Sequence, residues 1–125
     1  MRRTVLLLTV VAGAACAQAT RAPGDALSRR VLLADEIRGT AAATAYDAVS
    51  RLRPQWLRPR GRVSYRDPAG GDVVVYLDGV RHGGPESLRT IPADAVRHIE
   101  HLDSREATSR FGTGHVGGAI LVRTG

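Results

Sequence analysis

From residue 30 onward, apolar and polar positions fall in blocks whose period changes several times, and each change predicts a new element. Arg30-Val31-Leu32-Leu33 is a short strand candidate, and Ala34 to Arg38 follows as one helical turn stopped by Gly39. A second helix opens at Thr44. Asp47 stands where the second half of a capping box would, and Tyr46, Val49 and Leu52 form an apolar stripe until Pro54 ends the helix. Val63 and Tyr65 alternate with polar residues, which predicts a half-buried strand over 61–66. Residues 67–72 are turn chemistry, rich in Gly, Pro and Asp. Val73 to Leu77 is an uninterrupted apolar run, the pattern of a strand covered on both faces. Strand, turn and strand together predict an antiparallel hairpin.

Asp78-Gly79 is a tight-turn signal, because Gly accepts positive φ at little cost. Val80 and Arg81 resume the chain until Gly83-Gly84-Pro85 breaks it, and Glu86 to Thr90 is a short helical turn at most. Pro92 fits the first position of a helix over 92–96. Arg97 to Leu102 reads as a strand, Ser104 as the cap of a helix running to Arg110, and Gly118 to Arg123 as a closing strand. Gly112, Gly114, Gly117 and Gly118 reverse the chain before it. The sum is one α+β domain: a small mixed β-sheet with short helices on one side.

Composition narrows this further. The 125 residues are enough for one domain, and with 43% apolar but only 4% aromatic residues the core rests on Val, Leu, Ile and Ala. Before the domain, Arg2 and Arg3, the apolar run Val5 to Ala12 and small residues leading to Cys16 form an export signal over 1–17. That run is shorter than the ~20 residues of a membrane-spanning helix. Cys16 sits as the lipidated Cys of a bacterial lipobox does, although Gly13 stands where a larger apolar residue is usual. The alternative is ordinary cleavage after Ala17 or Ala19, which would leave the protein soluble. Residues 18–29 are polar and small and read as a tether to a domain over 30–125.

Every one of the 18 basic residues is Arg, and the net charge is +6. Arg51, Arg53, Arg58, Arg60, Arg62 and Arg66 lie together with no acid among them. They form a solvated edge, or a contact for anionic lipid or an acidic partner. Export argues against nucleic acid as a partner.

Little chemistry is arranged for catalysis. Ser64, Ser87, Ser104 and Ser109 have no Gly-x-Ser-x-Gly elbow around them. Glu100 and Asp103 are a carboxylate pair that a surface strand end explains equally well. His98 and His101 are spaced to face opposite sides of a strand. A metal site could assemble only from scattered residues such as His82, His115 and Glu100 or Asp103. The glycines after Phe111 lack the Gly-Lys-Ser/Thr ending of a phosphate loop and precede a strand rather than a helix. The expectation is a non-enzymatic protein with no metal and no cofactor.

Taken in order, Tyr76-Leu77-Asp78-Gly79-Val80, Ile91-Pro92-Ala93-Asp94 with Ile99-Glu100, Leu102 through Ala107-Thr108 to Phe111-Gly112, and Gly118-Ala119-Ile120-Leu121-Val122 resemble the plug domain of TonB-dependent outer-membrane receptors. The resemblance runs from about Val31 to Thr124. It departs at Asp103, where such plugs commonly carry Lys or Arg, and at Arg110, where they commonly carry an apolar residue. The sequence shows neither a barrel nor an energy-coupling box. The resemblance implies a plug-like fold in which Asp78, Gly79, Pro92, Gly112, Gly117 and Gly118 serve turns. It also implies a monomer exported to the periplasm or the periplasmic side of the outer membrane of a Gram-negative-type bacterium, held there by lipid if Cys16 is acylated. The expected function is binding or assembly with a transporter or another envelope protein. The alternatives are a small-ligand binder using the loops at His82, Gly83 and Gly84 and at Thr113, Gly114 and His115, or a remnant of a receptor.

Overall fold

The uninterrupted run Val73 to Leu77 becomes the strand that two cores share. In the computed structural model, which describes residues 23–59 and 71–125, strand β2 (Val74–Leu77) lies inside a mixed sheet with β1 (Val31–Leu33), β3 (Val80–Gly83), β4 (Val96–Leu102) and β5 (Ala119–Thr124). Among the described residues the sheet has five strands in the order β1-β4-β5-β2-β3. β2 and β5 are parallel, and the other neighbours are antiparallel. Both edges of β2 are therefore occupied, by β3 and β5. Residues 61–66, expected to be its hairpin partner, lie outside the described residues.

Alternation sends each strand's side chains to opposite faces. Val73 and Val75 of the run, with Ile120 and Val122 of β5, join a large core that includes Leu32, Ile37, Val49, Trp56, Leu88 and Ile99. Val74, Tyr76, Ala119 and Leu121 face the other way and pack with Leu102, Ala107 and Phe111. A fully buried aliphatic side chain contributes ~1.5–3 kcal/mol, so the first face carries most of the stability.

Helices cover both faces, not one as the apolar pattern implied. α2 (Ala34–Gly39), α3 (Ala45–Leu52) and 3-10 turns at Pro54–Leu57, Pro85–Thr90 and Ala93–Ala95 send Ile37, Ala45, Ala48, Val49, Trp56, Leu88 and Ala93 into the large core. α4 (Ser104–Phe111) crosses the other face and buries Ala107. On α3 the buried residues are Ala45, Ala48 and Val49, while Tyr46 and Leu52 pack at the margin. The small Ala side chains let this helix sit close to the sheet, so the predicted Tyr46–Val49–Leu52 stripe is only partly the buried face.

Local signals account for most boundaries. Thr44 and Asp47 form the expected capping box, with Thr44 Oγ1 accepting from Asp47 N at 3.2 Å. α4 is capped by Asp103 rather than Ser104: its carboxylate accepts from Glu106 N at 2.9 Å, and Ser104 is the first helical residue. Pro92 does not begin a helix. It bridges Thr44 and caps the three-residue 3-10 turn Ala93–Ala95, after which Val96 already belongs to β4. Pairing with Thr124 claims Val96 for the sheet. Residues 23–29, expected to belong to a tether, form helix α1 (Pro23–Arg30) together with Arg30, expected to open the first strand. Arg30 reaches Glu106 of α4, and Ser28 O accepts from Arg53 at 2.9 Å. No helix among the described residues is long and apolar enough to cross a membrane.

Candidate functional site

Strand direction gives the sheet two unlike ends. Parallel pairing sets Val74 beside Ala119 and Leu77 beside Val122, while β3 runs back until Gly83 lies opposite Val75. The Asp78-Gly79 turn is thus at one end, and the Gly83-Gly84 break and the loop 112–118 meet at the other. Between these two glycine segments is a cleft of about 290 Å3, lined by Asp72, Val73, Val74, Arg81, Gly83, Gly84 and Gly114.

One wall is the loop 112–118, closed by a chain of hydrogen bonds. Gly112 ends α4 at φ 89, and its N–H donates to Thr108 O at 2.8 Å. His115 is buried, with Nδ1 at 2.8 Å from Gly112 O and Nε2 at 2.7 Å from the Tyr76 hydroxyl. A carbonyl only accepts, so Nδ1 carries the proton. In the neutral ring Nε2 then accepts from Tyr76. The Tyr76 ring stacks on Phe111 at 4.0 Å between centroids. Gly118 N donates to His115 O at 2.9 Å, and Val74 N to Gly118 O at 3.1 Å, which ties the loop to β2. A Cβ on Gly118 would meet Leu102 O at 2.5 Å, and one on Gly117 would meet the backbone of Gly71 and Asp72. Only glycine allows this approach, and the approach brings the loop against Asp72.

The opposite wall is looser. Arg81 lies opposite Tyr76 and Gly83 opposite Val75, so His82 is an extra residue, a β-bulge that bends the strand. His82 Nε2 is 3.0 Å from Thr90 Oγ1, and that hydroxyl donates to Ser87 O at 2.7 Å, so it accepts from the imidazole. Gly83 has φ +147, whereas Gly84 is ordinary extended backbone, and a Cβ on Gly84 meets nothing within 4 Å. Gly84 O accepts from Ser87 N at 3.0 Å and from Ser87 Oγ at 2.6 Å, which starts the 3-10 turn whose Leu88 is buried in the large core.

Two charges line the cleft. Neither Arg81 nor Asp72 forms a salt bridge or a side-chain hydrogen bond among the described residues, and Arg97, Arg105 and Arg123 likewise form no salt bridge there. Of the residues picked from sequence, Gly83, Gly84 and Gly114 line the cleft. His82, Thr113 and His115 do not: His82 bonds its own loop, Thr113 is exposed, and His115 is an internal pin. Asp72 and Arg81 join the three glycines, although neither belongs to a recognisable motif in the sequence. The signal was an Arg just before a Gly-Gly break and an Asp just before the apolar run.

The remaining candidates are engaged elsewhere. Asp78 does not merely close its turn. Its carboxylate accepts from Thr124 Oγ1 at 2.6 Å and from Thr124 N at 3.0 Å. These bonds, the hydroxyl's first, hold its pKa below the ordinary 3.8. Asp103 is also held low, chiefly by the Glu106 backbone N–H of its helix cap. Glu100 pairs with Arg110 at 3.8 Å, while Asp103 caps α4. Both residues that depart from the plug pattern, Asp103 and Arg110, thus have local partners. His101 stacks on Trp56 at 5.4 Å, on the sheet face opposite His98. The described residues contain no group of three His, Cys, Asp or Glu placed to hold a metal, so His82, His115, Glu100 and Asp103 do not converge. Cys16 lies outside the described residues, as do Arg60, Arg62 and Arg66.

A larger groove of about 380 Å3 runs beside edge strand β1, lined by Ser28, Val31, Leu33 and Glu36. The Glu36 carboxylate already accepts from Leu33 N at 3.1 Å. The charged lining residue of this groove is thus engaged, whereas both charges of the smaller cleft are uncommitted among the described residues. In comparisons with known proteins, no family model, no curated protein and no solved structure matches the chain.

Proposed function

We propose that this chain is a non-enzymatic, exported, plug-like domain that works by binding, and that the cleft between its two glycine loops is where it binds. The observation that carries the reading is the meeting of Gly83-Gly84 and Gly114 around uncommitted polar groups at one end of the sheet. The plug-like element of the proposal rests on the order of the sequence pieces quoted above. Acylated Cys16 would hold the domain to a membrane on the periplasmic side. A small ligand suits a cleft of this size better than a protein does.

A protein partner from the envelope is the second reading, favoured by the exposure of Val80 (71%) and Val116 (56%). Gly84→Leu separates the two. It adds a side chain on the cleft lining without strain, because Gly84 has ordinary φ and open space around it. Backbone amide shifts of the full chain should be followed against a mixed small-molecule library. Binders should shift Val74, Arg81, Gly83, Gly84 and Gly114, and Gly84→Leu should remove the effect. Binders that map to Val80 and Val116 and ignore Gly84→Leu would sink the ligand reading.

A further inference from the structure

Resting on the cleft as a binding site, we infer that its ligand is a small zwitterion, a molecule bearing one carboxylate and one ammonium, on the scale of an amino acid or dipeptide. Arg81 and Asp72 both line the cleft, yet they form no ion pair with each other or with any other described residue. A purely anionic ligand would satisfy Arg81 and face repulsion from Asp72, and a purely cationic one the reverse. A zwitterion satisfies both. Arg prefers a carboxylate, which it grips through two parallel N–H bonds, while a carboxylate such as Asp72 accepts from an ammonium.

Other features of the lining agree. The cleft's volume of about 290 Å3 lies just below the ~300–1,000 Å3 usual for ligand pockets, which suits only a small molecule. The backbone N–H and C=O of Gly114 make no hydrogen bond to the described residues, which leaves a donor and an acceptor for a peptide group.

The test uses three probes on the full chain, read by amide shifts and calorimetry: L-alanyl-L-alanine, its N-acetyl form, and its C-terminal amide. The dipeptide should bind at cleft residues with Kd on the order of 1 mM or tighter. Loss of either terminal charge should weaken binding about tenfold. Each variant should then erase one preference. Arg81→Gln should abolish discrimination between acid and amide, and Asp72→Asn that between amine and acetyl, both with unchanged melting temperature because neither side chain has a partner to lose. Equal affinity for all three probes, no binding of the dipeptide, or preferences that survive both variants would overturn the zwitterion. Library binders still lost in Gly84→Leu would then leave the cleft standing with another ligand class. If those fail as well, the binding reading itself falls.

Discussion

The two glycine segments that frame the cleft use glycine for different reasons. In 112–118 glycine is forced by crowding and conformation: Gly112, Gly114 and Gly118 hold positive φ, and Gly117 and Gly118 lie where a Cβ would strike neighbouring backbone. His115 then pins the loop to Tyr76. At Gly83-Gly84 only the first residue is conformationally special, and the second faces open space. One wall is a fixed part of the sheet's packing, and the other is a rim with room beside it. Like residues in a sequence can thus mark a crowded, fixed wall on one side of a cleft and an open rim on the other.

The largest effect should come from crowding the fixed wall. Gly117→Ala sets a methyl against the backbone of Gly71 and Asp72, and overpacking of this kind costs about 3 kcal/mol. Urea denaturation should show it, and a loss under 1 kcal/mol would mean that residues 71–72 yield easily. Tyr76→Phe keeps the ring stack but leaves buried His115 Nε2 without its partner. Equilibrium unfolding should register a loss of about 2 kcal/mol. No change would show that the Tyr76–His115 bond does not fasten the loop.

At the opposite end of the sheet, Asp78 (φ 50) and Gly79 (φ 90) form the hairpin turn with positive φ at both positions. Gly79→Val should destabilise by about 1–2 kcal/mol, because a β-branched residue resists that backbone. Asp78→Asn should act more weakly and in a pH-dependent manner. The folded carboxyl titrates below its ordinary 3.8 because Thr124 bonds it. Its stabilisation is therefore complete above that value and lost as pH falls through the folded pKa. Melting temperatures of Asp78→Asn and the parent protein should differ at pH 7 and converge in acid. A gap that persists unchanged at low pH would contradict the Thr124 linkage.

Local signals made much of the fold legible. The Thr44–Asp47 box, the Asp78-Gly79 turn and the doubly buried run Val73 to Leu77 each depend on residues close in sequence. What stayed hidden depends on distant pairing. Asp78 looked like a turn residue because its partner, Thr124, lies at the far end of β5. Helices on both faces were unreadable because the smaller core rests on residues as plain as Ala107 and Ala119. The site divided in the same way. Gly83, Gly84 and Gly114 announced themselves by type, but Asp72 and Arg81 line one cleft only because β2 lies beside both β3 and the loop that leads into β5.

The most direct test of the account is to measure stability and library binding together in Gly117→Ala and Gly84→Leu. The account predicts that Gly84→Leu melts within about 0.5 kcal/mol of the parent and loses binders at Val74, Arg81 and Gly114. It also predicts that Gly117→Ala loses stability outright. A Gly84→Leu protein that binds as the parent does, with its fold intact, would contradict the claim that this cleft is where the protein works.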